Sequence, residues 1–170
     1  TMGTPGNFIN NNGTGLTTFN LTNNNAFPII IQEISTVVTS SLTSAQAHLY
    51  TSATPVTGPP GIIPTASTMP WVQASNQIIN ITGNAAAQPV LTGLNVIIPA
   101  NTTVGVAIGV FTANNASGAM QYYTMPSSTF TYSTNGVDMV FSPTSAYGGT
   151  SFTGAATNNP RAFIGSVTFI

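Results

Sequence analysis

Charged side chains make up only 2% of this 170-residue chain. Glu33, Asp138 and Arg161 are the complete set, whereas ordinary soluble domains carry about 25% charged residues. Copies with a net charge of -1 repel one another very little, so we expect them to associate. One arginine cannot neutralise a phosphate backbone, and we therefore expect no nucleic-acid partner.

Cysteine is absent, which excludes disulfides and thiolate metal sites. Long apolar runs are absent as well, because Asn95, Pro99 and Asn101 interrupt the best candidate for a membrane helix, and we expect no membrane insertion. No basic segment followed by an apolar run begins the chain, so we expect a mature secreted chain from which a signal has been removed. The expected location is secreted, extracellular or at the cell surface.

Hydrophobic residues make up 42% of the chain and alternate with polar ones, which predicts a packed core rather than disorder. The clearest alternation lies in residues 94–111, where a strand, a turn at residues 99–102 and a second strand predict a hairpin. One face of the second strand carries only Gly105, Ala107 and Gly109. This flat, uncharged face is predicted to contact a loop of the same chain or a neighbouring molecule, and we assign the three residues to assembly.

About ten short strands separated by Gly, Pro and Asn turns, with no helical period, predict an all-β fold. We expect two antiparallel sheets packed as a jelly-roll-like β-sandwich, with a closed barrel as the less favoured layout. Asn135-Gly136 predicts a tight hairpin, and the proline-rich residues 54–70 predict a long loop. Residues 1–15 are predicted to be an edge strand or extended arm, and residues 16–170 a single sandwich domain.

Several segments, taken in order, resemble a β-sandwich domain family of secreted and cell-surface bacterial proteins. The most specific are I-P-A-N-T-T-V-G at residues 98–105 and R-A-F-I-G-S-V-T-F at residues 161–169. Gly6-Asn7, the strands at residues 16–21 and 47–51, Trp71-Val72 and Tyr147-Gly148-Gly149 follow the same order. The resemblance implies an extracellular jelly-roll-like module without catalytic activity. The chain departs from the family pattern because Thr, Ser, Asn and Ala replace nearly all its charged residues.

An enzyme is difficult to build from these residues, so we expect no catalytic activity and no cofactor. General acid-base catalysis uses paired titratable groups, and the only carboxylates, Glu33 and Asp138, lie far apart in sequence. His48, Asp138 and a serine could form a triad, but no G-x-S-x-G motif occurs. We interpret His48 as a hydrogen-bonded strand residue and expect Arg161 to pair with Glu33 or Asp138.

Two kinds of modification or ligand site remain open. Asp138 and nearby Asn135 could bind one calcium ion, although one carboxylate makes a weak site and turn hydrogen bonding explains the pair equally well. N-x-Ser/Thr triplets are candidate glycosylation sites, with those at turns favoured. The triplets begin at Asn12, Asn20, Asn80, Asn101 and Asn115.

Our leading hypothesis is a structural subunit of an extracellular filament, sheath or surface layer that binds copies of itself. One form is strand donation, in which residues 6–12 complete a sheet of the next subunit and Phe8 and Ile9 fill its core. The alternative is a secreted carbohydrate-binding or adhesion module whose exposed aromatic residues stack on glycans. The candidate residues for that role are Trp71, Tyr122, Tyr123, Tyr132 and Tyr147.

Overall fold

The computed structural model describes residues 2–3, 13–125 and 128–170. In this part of the chain a 3-10 turn, Ala113–Asn115, follows the ninth of fifteen strands. The strands are β1 (Met2–Gly3), β2 (Gly13–Thr14), β3 (Leu16–Asn23), β4 (Ile29–Thr36), β5 (Leu42–Ser52), β6 (Trp71–Ile81), β7 (Gln88–Leu91), β8 (Val96–Ile98), β9 (Thr102–Phe111), β10 (Met120–Tyr123), β11 (Phe130–Thr134), β12 (Val137–Phe141), β13 (Gly148–Gly149), β14 (Ala162–Phe163) and β15 (Gly165–Phe169). No helix in the described ranges has the length and apolar character needed to cross a membrane.

The strands pair antiparallel in three sheets. The seven-stranded sheet has the order β11-β12-β3-β9-β5-β6, with β13 also paired to β3. The five-stranded sheet has the order β1-β15-β4-β7, with β8 also paired to β4, and a small third sheet has the order β14-β10-β2. The predicted all-β, sandwich-like fold is confirmed.

The main core contains side chains from both large sheets. Phe19 of β3 lies at its centre, with its ring centroid 5.3 Å from that of Phe141 and 5.5 Å from that of Phe163. Ile31 and Ile34 of β4 belong to the same core, and all five side chains are fully buried. Burial of each such side chain stabilises the fold by roughly 1.5–3 kcal/mol, which lets the chain fold without disulfides.

The strands predicted in residues 94–111 exist, but the predicted hairpin is wrong. β8 pairs with β4 in the five-stranded sheet, whereas β9 pairs with β3 and β5 in the seven-stranded sheet. The turn between them, in which Asn101 has φ 51°, therefore carries the chain from one sheet to the other. Asn135-Gly136 does form the predicted hairpin, with β11 and β12 paired on either side and φ of 49° and 74°.

The described parts of residues 1–15 pair within the domain's own sheets. β1 pairs with β15, and its Met2 side chain is buried in the main core. β2 pairs with β10 in the third sheet. Residues 4–12 connect these two strands, so the predicted plugs Phe8 and Ile9 lie outside the described residues.

Candidate functional site

The flat face of β9 is covered by the chain itself, so the three residues assigned to assembly are not exposed in the single chain. Gly105, Ala107 and Gly109 are all buried. A Cβ added to Gly105 would lie 3.2 Å from Val56 Cγ2 and 3.3 Å from Met69 Cε, both in the loop of residues 53–70. The sequence allowed either a loop or a neighbouring molecule to cover this face, and the structure places the proline-rich loop there.

Asn20 of β3 holds that loop in place. Its Nδ2 atom donates to the carbonyl oxygen of Val56 at 3.0 Å, and its Oδ1 atom accepts from the Val56 N–H at 2.7 Å. Because this side chain binds the backbone on both sides, it is not free to carry a glycan. A glycan on Asn20 would require both hydrogen bonds to Val56 to break, so we assign this side chain a structural role.

His48 lies beside a second, smaller hydrophobic core, which includes Val56 of the loop, and its ring contacts Tyr50 and Phe111 of that core. It is buried on β5, with Nε2 2.7 Å from Asn115 Oδ1 and Nδ1 3.1 Å from Gln73 Nε2. The neutral tautomer with the proton on Nε2 fits both contacts, because Nδ1 then accepts from the Gln73 amide. Burial lowers the pKa of His48, and the hydrogen bond that Nε2 donates to Asn115 opposes this in part. His48 is thus the hydrogen-bonded strand residue that we predicted.

The three charged residues have separate partners, and the predicted ion pair is not formed among the described residues. Asp138 accepts hydrogen bonds from Asn24 Nδ2 at 2.8 Å and from Ser133 Oγ at 2.5 Å. Glu33 accepts a long hydrogen bond of 3.4 Å from Ser35 Oγ. Arg161 lies over the ring of Tyr122, with its Cζ atom 4.2 Å from the centroid. Neutral polar groups and a ring, rather than opposite charges, contact these side chains.

The described residues do not form a cluster of ligands for the calcium ion that the sequence allowed at Asp138. Within the described ranges no group of three or more His, Asp or Glu side chains is placed to hold a metal ion. The Asp138 carboxylate, on β12, instead hydrogen-bonds Ser133 of β11 and Asn24, which directly follows β3. This is the turn-associated role that the sequence left open beside metal binding.

The other N-x-Ser/Thr asparagines differ in accessibility. Asn101 is exposed at the turn between β8 and β9. Asn80 is exposed on β6, but its Oδ1 atom accepts from the Ser44 N–H at 2.8 Å. Asn115 is half-buried and bound to His48, and Asn12 lies outside the described residues. Asn101 therefore remains the best of the described candidates.

The aromatic residues proposed for sugar stacking are mostly inside the fold. Trp71, Tyr122 and Tyr147 are buried. Tyr123 and Tyr132 are half-buried, and both rings contact Phe130 edge-on. Because glycan stacking requires an open ring face, these residues do not form the exposed platform that the sequence suggested.

An apolar groove lies on one side of the sandwich, where two strand edges meet. β6 is the last strand of the seven-stranded sheet, and β8 lies at an edge of the five-stranded sheet. The groove has a volume of about 450 Å³ and no charged residue among its lining side chains. It is lined by Thr51, Ser52, Ala53, Pro70, Val72, Ile97, Ile98, Pro99, Thr102 and Val104.

Large apolar side chains are exposed around this groove. Val72 of β6 is 65% exposed and Ile97 of β8 is 61% exposed. Ile97 is the paired neighbour of Ile30, which exchanges two backbone hydrogen bonds with Ile170 at 2.9 and 3.1 Å, so three isoleucines form a row across this sheet. Ile78, farther along β6, is 70% exposed. Exposed apolar side chains that border one groove, as Val72 and Ile97 do, are typical of interaction surfaces.

The edge of β6 has little protection against pairing with another strand. Exposed edges usually carry Lys or Pro, or are short. β6 is 11 residues long and contains neither residue type. Its register with β5 shifts at the Leu42–Ala45 and Leu49–Tyr50 steps of β5, and the Gln77 side chain exchanges two hydrogen bonds with the backbone of Thr92. β6 is therefore an uncharged edge strand that the segment after β7 contacts at Gln77.

Sequence reasoning identified these strands but not their common groove. Ile97 lies in the strand predicted before the turn at residues 99–102, and only the sheet order shows that Val72, Ile78 and Ile97 lie on edge strands. The one available signal was the absence of lysine from the whole chain, which leaves every edge without that protection.

Comparison of the chain with models of protein families, with curated proteins and with solved structures finds no match. Function is therefore inferred from the chain's own residues.

Proposed function

We propose that this chain is a non-enzymatic structural subunit of an extracellular filament, sheath or surface layer, and that it assembles with copies of itself. The observation that carries the proposal is the uncharged groove between the edges of β6 and β8, bordered by exposed Val72 and Ile97. The extracellular location is part of the same proposal and is supported by the scarcity of charge, which is unusual for a dispersed intracellular monomer.

Strand addition explains how such a groove would bind. An edge strand has a row of backbone N–H and C=O groups that another extended segment can pair with, and alternate side chains then enter the groove. Covering Val72 and Ile97 would each contribute about 1–2 kcal/mol, since both are more than half exposed in the single chain. The backbone hydrogen bonds would fix the orientation of the added strand, and burial of the two side chains would supply the favourable free energy.

A second copy is the occupant that the charges favour. A charged partner would have to lose hydration against a groove that offers no opposite charge, which costs free energy. A second copy of this chain avoids that cost because only 2% of its residues are charged. Copies also lack the electrostatic repulsion that normally keeps proteins apart.

Residues 4–12 are one candidate for the inserted segment, with Phe8 and Ile9 as the side chains that enter the groove. Both flanking strands, β1 and β2, pair within their own domain. We therefore propose donation by this connecting segment rather than by a free terminal arm. The span contains no charged residue, which fits the uncharged groove.

The substitution Val72→Lys tests this surface. A lysine at this exposed position places a charge in the groove without disturbing the buried core, and should shift the native material from large assemblies towards single chains in sedimentation velocity. Thr153→Lys, in the exposed loop between β13 and β14, is the matched control and should leave assembly unchanged. Equal assembly of both variants would refute this groove as the contact.

The alternative function, a secreted carbohydrate-binding or adhesion module, has less support. Its aromatic platform is largely buried, as Trp71 and Tyr147 illustrate. It would also require a dispersed chain whose melting temperature rises with a specific glycan.

A further inference from the structure

A second pocket, separate in its residues from the groove, contains the only cationic side chain of the protein that carries a permanent charge. It has a volume of about 190 Å³, which corresponds to about six water molecules in the liquid. Its lining is polar and consists of Tyr122, Thr124, Asn158, Asn159, Pro160 and Arg161. The pocket is thus too small for a large ligand but large enough for a small polar one.

Arg161 is held in one position by its surroundings. Its guanidinium lies over the ring of Tyr122, and Nη1 donates a long hydrogen bond of 3.4 Å to Thr14 Oγ1. Its methylene stem packs against Gly148, where any Cβ would overlap Arg161 Cδ. The Arg161 N–H donates to the carbonyl of Ala146 at 3.0 Å. A glycine, a ring and a hydroxyl therefore fix the side chain before any ligand binds.

The guanidinium has donors to spare. It carries five N–H donors in a planar fork, and the Thr14 contact uses one of them at long range. Among the described residues no carboxylate contacts it, because Glu33 and Asp138 bind Ser35, Asn24 and Ser133 instead. A half-buried guanidinium without a carboxylate partner is stabilised most by an anionic acceptor that forms two parallel hydrogen bonds with it.

We propose that this pocket binds the carboxylate of a small hydroxylated acid of the uronic-acid class. The single cation matches a single negative charge, and the planar fork of Arg161 matches a carboxylate. Asn158 in the lining supplies an amide group for the ligand's hydroxyls, and Asn159, whose Nδ2 atom donates to the carbonyl oxygens of Pro143 and Ala146, offers its Oδ1 atom as an acceptor. This site is independent of self-assembly, since it shares no residue with the groove.

Isothermal titration of the full chain with sodium glucuronate tests the proposal, and it works equally on assembled material. We expect saturable binding of one glucuronate per chain, weaker binding of acetate and none of glucose. Inorganic phosphate distinguishes a general anion site from a carboxylate site. The proposal is overturned if glucuronate does not bind, if glucose also binds, or if phosphate binds more tightly than glucuronate.

Variants locate the site. Arg161→Gln should raise the Kd for glucuronate by roughly tenfold or more, because it removes a charge-assisted hydrogen-bond pair. Glu33→Gln, on β4, also changes the net charge by one unit and should leave the Kd unchanged. If Arg161→Gln fails to fold, Asn158→Ala keeps the cation and should still weaken binding several-fold. An unchanged Kd in whichever of these two pocket variants folds overturns the assignment.

Discussion

The Nε2 atom of His48 lies 2.7 Å from Oδ1 of Asn115, and this contact ties β5 to the 3-10 turn that follows β9. Gln73 of β6 binds the other ring nitrogen. The imidazole therefore connects the edge strand β6 to the interior of the seven-stranded sheet. Its ring also stacks on Phe152, with centroids 4.8 Å apart, so polar and aromatic contacts fix the same side chain.

The first prediction concerns pH. Burial lowers the pKa of His48 in the folded chain, so the unfolded chain takes up the proton first as the pH falls. Stability should be full above about pH 7 and should decrease as the pH falls through about 6.5, the ordinary histidine value, towards the lower folded pKa. Chemical denaturation between pH 5 and 7.5 measures this.

The amino-acid composition allows the pH dependence to be assigned to one side chain. His48 is the only histidine, and the chain has no cysteine, so no other side chain with an ordinary pKa titrates in this range. His48→Gln should remove the pH dependence. A wild-type stability that is constant, or that rises as the pH falls, would contradict the buried neutral imidazole.

The second prediction concerns the covered face of β9. Gly105→Leu should lower stability by about 1–3 kcal/mol, because the new side chain meets Val56, Met69 and the carbonyl of Thr54. Thermal unfolding should show a decrease in Tm of about 3–10 °C. Gly58→Leu is the control, since nothing lies within 4 Å of a Cβ there. Altered assembly with unchanged stability would instead support the original assignment of Gly105 to a contact between copies.

The third prediction concerns the loop of residues 53–70. Asn20→Ala removes both hydrogen bonds to Val56 and leaves its backbone groups without these partners, which should cost about 1–3 kcal/mol. Limited proteolysis should then cut within the loop faster than in the wild type. Asn95→Ala, at an exposed position, should be cut at the wild-type rate. Equal cleavage of both variants would mean that Asn20 does not hold the loop.

The fourth prediction concerns residues 4–12. Replacing Phe8 and Ile9 together by Ser should reduce assembly if this segment is inserted into a neighbour's groove. A deletion of residues 1–12 is a poorer test, because it also removes Met2 from the core. Thermal unfolding of the double variant distinguishes a loss of assembly from a loss of fold stability. Filaments of unchanged length would remove Phe8 and Ile9 from the account while leaving the groove to another segment.

The sequence predicted the strands and the fold class because alternation and turn residues are local properties. Asn135-Gly136 needs no distant partner to form its turn, and it was predicted correctly. The hairpin predicted at residues 94–111 was wrong because alternation does not specify the partner of a strand. The same pattern is compatible with two strands that pair with each other and with two strands that belong to different sheets. Pairing of β8 with β4 depends on residues about 65 positions away.

The face of the sheet on which each β4 side chain lies was a second property that the local sequence did not determine. Strict alternation along β4 places Ile31 and Glu33 on one face and Ile34 on the other. The register with β15 shifts so that Thr168 pairs with Glu33 and Phe169 with Ile31, which leaves Gln32 as a bulge. The bulge allows both Ile31 and Ile34 to reach the core. No residue pattern in β4 alone indicates this.

The candidate sites were also set by tertiary contacts. Arg161 was expected to pair with a carboxylate, yet Glu33 lies on β4, Asp138 on β12 and Arg161 just before β14, and each has other partners. The groove depends on which strands end each sheet, and Val72 and Ile97 are 25 positions apart in sequence. Only the low charge of the whole chain was visible beforehand, and it predicts association without locating the surface.

Sedimentation velocity of the native chain, with negative-stain imaging of the same sample, tests self-assembly most directly. Large particles that persist in high salt are expected, because hydrophobic and backbone contacts are not screened by ions. Val72→Lys should dissolve them while Thr153→Lys should not. A single sharp boundary at 17.4 kDa for the native chain, at all concentrations, would contradict the account.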